Sequence, residues 1–223
     1  INRMHDYLRE FGFGDKTGID LIGERSGLLP SREWKRRVHN KVWYPGETLI
    51  AGIGQGYMLA TPLQLANAVA AVAARGERYR PRLVAATQNT ITGERTLYPP
   101  ERLDDVRLDN EIHWDTVIGA MNDVMQGARG TARAAGANAE YRMAGKSGTA
   151  QVFSVAQEDE YDEDEIELRL RDHALFVSFA PLDDPRIAVA LIVENGSSGS
   201  RVAAPIARQI MDEYLGYGGD ARD

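Results

Sequence analysis

Arg142-Met143-Ala144-Gly145-Lys146-Ser147-Gly148-Thr149-Ala150-Gln151 carries the densest chemistry in the chain. Residues 141–146 alternate with the period of a strand, Tyr141, Met143 and Gly145 on one face and Arg142, Ala144 and Lys146 on the other. Two hydroxyls, Ser147 and Thr149, then flank Gly148. In strand geometry they share a face, and Gly148 has no side chain to keep a ligand from the backbone. A lysine ammonium, two hydroxyls and an open backbone N–H on one strand edge suit a carboxylate or a developing oxyanion.

Downstream, Glu158-Asp159-Glu160-Tyr161-Asp162-Glu163-Asp164-Glu165 is a dense acidic run. It lacks the glycine that a calcium loop needs at its sixth position, so it reads as a solvated insertion over about residues 156–169. His173 opens the next apolar run and reads as a structural residue at a strand edge. Residues 174–180 and 187–193 predict two buried strands, and the short Asp183-Asp184-Pro185 connection makes them an antiparallel hairpin. Added to the Lys146 strand they form a three-stranded meander. Gly196 to Gly199 reads as a flexible turn before a last helix, Val202 to Leu215, with Ala203, Ala207, Ile210, Met211 and Tyr214 against the sheet. Residues 216–223 read as a flexible tail after a domain spanning 1–215.

Upstream, Trp114, Val117, Ile118, Met121, Val124 and Met125 form one apolar stripe, predicting a helix between Asp109 and Gly127. Arg129 and Arg133 follow in a Gly/Ala-rich loop and read as solvated surface. Thr61-Pro62-Leu63-Gln64 is a capping box with proline at the first helical position, opening an alanine-rich helix that closes at Arg75-Gly76. Gly52-Ile53-Gly54-Gln55-Gly56 has the wrong spacing for a dinucleotide loop and reads as backbone packed closely against its surroundings. Trp34, Lys35, Arg36, Arg37, His39, Lys41, Trp43 and Tyr44 form a cationic, aromatic cluster, read as a solvated loop anchored by Trp43. A short strand is expected at Ile19 to Ile22, and a first helix over residues 2–11, its stripe Met4, Tyr7, Leu8 and Phe11 ending at Gly12. The pattern is α+β: an antiparallel sheet flanked by helices.

The 223 residues can bury a sizeable core. A net charge of −7 argues against a nucleic-acid binder. No apolar run is long enough to cross a membrane, no cysteine is present, and none of the four histidines has metal-ligand spacing.

K-S-G-T at 146–149, preceded by Ala51-Gly52-Ile53-Gly54-Gln55-Gly56-Tyr57 and Ala60-Thr61-Pro62-Leu63-Gln64-Leu65-Ala66, resembles the transpeptidase domain of class B penicillin-binding proteins. Trp43-Tyr44-Pro45-Gly46-Glu47-Thr48, Leu170-Arg171-Asp172-His173 and Phe179-Ala180-Pro181 resemble its penicillin-binding protein 2 branch, from Gram-negative rods. The resemblance covers residues 1 to about 215. It implies the penicillin-binding protein and serine β-lactamase fold, and a peptidoglycan D,D-transpeptidase that cross-links stem peptides through an acyl-serine and is a target of β-lactams. It further implies a location at the periplasmic face of the inner membrane, a membrane glycosyltransferase as partner, and no cofactor. Lys146 and Thr149 are the implied catalytic residues, with Ser147, Gly148 and Thr149 binding substrate. One departure stands out: no serine is followed three positions later by lysine, and no S-x-N occurs. The nucleophile and the second motif of the family are therefore expected upstream of this segment, leaving the chain inactive alone. The alternative is a non-catalytic scaffold or binding protein with the same fold.

Overall fold

The computed structural model describes residues 1–152 and 167–218. The acidic run at 158–165 and the last residues of the expected tail lie outside them. The chain divides into two compact units, Ile1–Arg107 and Leu108–Asp223.

The first unit opens with α1 (Asn2–Glu10), which ends before Gly12 at a φ of +90°, the conformation that glycine adopts freely. The strand expected at residues 19–22 does not form. Asp20 accepts hydrogen bonds from the backbone N–H groups of Leu83 (2.6 Å) and Val84 (2.9 Å), so a side chain replaces a ladder. Ile22 is fully exposed and has nothing to bury. Two helices follow: α2 (Arg32–His39), capped by Ser31 Oγ on the N–H of Trp34, and α3 (Pro45–Gly52). The sequence reading gave no helix at α3. Proline opens it, and Glu47 reaches back 2.8 Å to the N–H of Tyr44.

The cationic cluster around α2 is solvated at Arg36, Arg37, His39, Lys41 and Tyr44, with Trp43 half-buried as expected, but residues 32–39 are helical and Lys35 is the exception. Lys35 is 2% exposed, its ammonium paired with Glu47 and lying 4.8 Å from the centre of the Tyr44 ring, 5.8 Å from Trp43 and 5.9 Å from Tyr57. Tyr57 packs edge-on to Trp34 at 5.1 Å and beside His39 at 5.3 Å. The close packing expected over residues 52–56 is found at Gly56, where a Cβ would stand 3.1 Å from Ile50 Cγ2, whereas Gly54 answers a conformational requirement: its φ is +78°, and a Cβ there would meet nothing within 4 Å.

Helix α4 (Pro62–Ala73) carries the capping box as expected, Thr61 Oγ1 accepting from the N–H of Gln64 and Gln64 Oε1 from the N–H of Thr61. Gln64 is 2% exposed, and its amide also donates to the carbonyls of Asp15 (2.8 Å) and Ser26 (2.7 Å), tying the turn-rich segment to the helix start. Strands β1 (Ala86–Gln88) and β2 (Arg95–Leu97) make an exposed antiparallel hairpin.

The second unit holds α5 (Ile112–Gln126), the short α6 (Arg133–Gly136) and a sheet ordered β3 (Ala144–Ala150), β4 (His173–Ala180), β5 (Ile187–Val193), antiparallel throughout. A π-helical turn, Gly199–Ala203, leads into α7 (Ala204–Leu215). Met125, Tyr141, Met143, Phe176, Ala180, Val189, Ala203, Ala207 and Met211 share one core. The stripe on α5 is buried at Trp114 and Met125, while Val117 is exposed. On α7 the buried line is Ala204, Ala207 and Met211, whereas Ile210 and Tyr214, expected against the sheet, face outward. Ala204 and Ala207 bring the helix close to the strands and Met211 fills the core beside them, while Ile210 and Tyr214 lie at the rim.

Candidate active site

Lys146, Ser147, Gly148 and Thr149 all lie on β3, which pairs with β4 alone and so leaves its other edge without a strand partner among the described residues. Lys146 and Thr149 are exposed, Ser147 and Gly148 half-buried. The strand is seated by its neighbours. Ahead of the motif, Gly145 is obligatory: a Cβ there would stand 2.7 Å from two ring carbons of Phe176, a core residue. At its start Tyr141 donates a hydrogen bond to Asp212 on α7 (2.7 Å), and Arg208 donates to the same carboxylate at 2.6 Å. Burial first, and then the Asp212 carboxylate, push the Tyr141 phenol up, so it stays a neutral donor. Tyr217 packs on the Tyr141 ring at 5.3 Å.

The direction of each backbone group follows from the contacts of Gly199. A Cβ on Gly199 would collide with the carbonyl of Leu175 and stand 2.7 Å from Gly148 O and 3.2 Å from Gly148 N. Gly148 is registered opposite Leu175. Its N–H and C=O can both lie this near Leu175 O only if they face β4, as in a hydrogen-bonded antiparallel pair. Alternation then turns the backbone groups of Ser147 and Thr149 to the open edge. The Lys146 ammonium agrees, since it donates to Ser147 O at 2.6 Å. The open edge thus presents one ammonium and the N–H of Thr149, with the two flanking hydroxyls on one face, an arrangement able to hold a carboxylate and polarise a carbonyl.

His173, paired opposite Ala150, accepts through Nδ1 from the N–H of Asn195 at 2.9 Å. Asn195 in turn donates to the carbonyls of Arg169 (3.1 Å) and Arg171 (2.9 Å), so this histidine pins the turn after β5. Arg129 and Arg133 are exposed beyond α5. No group of metal-binding side chains occurs among the described residues. The sequence reading missed the roles of Gly145 and Gly199. The run of small residues at 199, 203, 204 and 207 was the available signal for a close approach.

Residues 1–212 match the family described as "Penicillin binding protein transpeptidase domain". The chain belongs to that family. It is 40% identical over 218 residues to the peptidoglycan D,D-transpeptidase MrdA of Haemophilus influenzae, a match covering 96% of this chain and 33% of that protein. To MrdA of Escherichia coli it is 39% identical over 215 residues, covering 96% and 34%. The chain therefore spans about a third of the length of these curated relatives. The crystal structure of Pseudomonas aeruginosa PBP2 in complex with WCK 5153 superposes with a TM-score of 0.81 at 50% identity, covering 96% of this chain and 44% of that one. PBP2 of Helicobacter pylori, solved in complex with MreC, gives 0.78 at 29% identity, covering 97% and 36%. The fold is that of the penicillin-binding protein transpeptidases, and no helix among the described residues is long and apolar enough to cross a membrane.

Proposed function

We propose that these residues supply the K-S-G-T half of an acyl-serine D,D-transpeptidase that cross-links peptidoglycan stem peptides during cell elongation. The outward-facing Thr149 N–H beside the exposed Lys146 ammonium carries this reading. A serine supplied by another part of a longer polypeptide attacks the D-Ala-D-Ala carbonyl, expels D-Ala and passes the acyl group to an amine of a neighbouring strand. The Thr149 N–H is one donor to the tetrahedral oxyanion, worth about 3 kcal/mol of transition-state stabilisation. Lys146 draws in the terminal carboxylate of the stem peptide, or that of a β-lactam, and the Ser147 and Thr149 hydroxyls bind it. Gly148 keeps the approach to the backbone open.

The names of the MrdA relatives support the reaction class, the likeness to penicillin binding protein 3 structures solved with aztreonam and with ampicillin supports β-lactams as ligands, and the likeness to PBP2 solved with MreC supports a partner of that kind. A membrane-embedded glycosyltransferase and an anchored position at the periplasmic face complete the proposal. The 223 residues contain no S-x-x-K, so this chain alone does not acylate.

Intact-mass measurement after incubation with penicillin tests the reading on this chain and on the full-length gene product. One drug mass on the longer protein alone supports it. An adduct on this chain would refute its inactivity, and no adduct on either folded protein would favour a non-catalytic scaffold.

A further inference from the structure

We infer that Gly199 is a positioning residue for the oxyanion donor on β3, an inference that rests on the acyl-transfer role proposed for the K-S-G-T strand. Gly199 is buried at the start of the π-helical turn that runs into α7. Its α-carbon is pressed onto the Gly148–Leu175 pair, where a Cβ would collide with Leu175 O and stand 2.7 Å from Gly148 O. The carbonyl of Gly148 and the N–H of Thr149 are the two ends of one planar peptide unit. Whatever displaces the oxygen at the β4 side therefore swings the N–H at the open edge. Phe176 fixes the strand one residue before the motif, through Gly145, and Gly199 fixes the peptide at its reactive end.

The turn is itself held in place. Ser198 Oγ accepts from the N–H of Arg201 at 3.3 Å, and the N–H of Ser197 donates to Asp172 O at 2.8 Å. Ala203, Ala204 and Ala207 then seat α7 in the core. The absent side chain at 199 thus transmits the position of a packed helix to the donor without touching substrate.

The test is the acylation kinetics of the full-length protein with penicillin, separating the pre-acylation dissociation constant from the acylation rate constant. Gly199→Ala is expected to slow acylation about 10- to 100-fold, with the dissociation constant moving far less, because an oxyanion donor acts on the transition state. Gly136→Ala is the control: a Cβ there collides with Met125 O, in the same unit but away from β3. It should lower the melting temperature and leave the acylation rate within about twofold of wild type. Should Gly199→Ala fail to fold, Ser198→Ala loosens the same turn without adding atoms, and about threefold slower acylation is expected.

A folded Gly199→Ala protein that acylates at the wild-type rate overturns the inference. So does Ser198→Ala at the wild-type rate where Gly199→Ala does not fold, or a rate loss in Gly136→Ala that matches Gly199→Ala at equal loss of melting temperature. A wild-type protein that takes up no drug overturns the acyl-transfer reading, and this inference with it.

Discussion

Lys35 in the first unit and Lys146 in the second occupy opposite environments. Lys35 sits in Glu33-Trp34-Lys35-Arg36-Arg37, which looks like solvated surface, yet it is 2% exposed, paired with Glu47 and ringed by Trp43, Tyr44 and Tyr57. Lys146 follows the buried Ala144-Gly145 and is exposed, its ammonium donating to the carbonyl of Ser147. Desolvation separates their uses. A buried ammonium needs fixed partners in place of water, so Lys35 is committed to holding α2, α3 and the Tyr57 turn together. An exposed ammonium gives up water and one carbonyl contact readily, so Lys146 is free to meet an incoming carboxylate.

Lys146→Ala sharpens the contrast most. In the full-length protein it should slow acylation by penicillin about 100-fold while leaving the thermal melt of the protein nearly unchanged. Lys35→Ala should do the reverse, lowering the melting temperature by about 5–10 °C. A melt unaffected by Lys35→Ala would mean that the cage contributes nothing. Within the second unit, Tyr141→Phe removes one hydrogen bond to Asp212 but leaves that of Arg208, so a loss of about 1 kcal/mol in denaturant titrations is expected.

The smallest effect is in pH. The hydrogen bond from Lys35, then that from the N–H of Tyr44, holds the Glu47 carboxyl below the usual carboxylate range. A carboxyl depressed in the folded state stabilises it above the ordinary glutamate pKa, about 4.3, and that contribution fades as pH falls through the lower folded value. Melts of wild type and Glu47→Gln should therefore converge as the pH falls below about 4.3 and through the lower folded value, wild type being the more stable near neutrality. Curves that stay parallel would break the pairing.

The same contrast explains what was legible in the sequence. Short-range devices could be read off: the box at Thr61 and Gln64 lies within four residues, and the hairpin of β4 and β5 is two apolar runs around a tight connection. Helix α3 was missed because its cap is Tyr44, outside the usual capping residues, although Pro45 and Glu47 carried the signal. The cage of Lys35 draws on residues 43, 44, 47 and 57, which no local period links. At the candidate site the motif named Lys146, Ser147, Gly148 and Thr149. The direction of the Thr149 N–H required the pairing of Gly148 with Leu175, a fact of register rather than of composition.

The most direct test of the central claim is a crystal structure of the full-length protein acylated by a β-lactam. The account predicts the acyl carbonyl oxygen about 2.7–3.1 Å from the backbone nitrogen of Thr149, with the drug carboxylate against the Lys146 ammonium and the Ser147 and Thr149 hydroxyls. An acyl oxygen turned away from β3, or a carboxylate bound elsewhere, would contradict it.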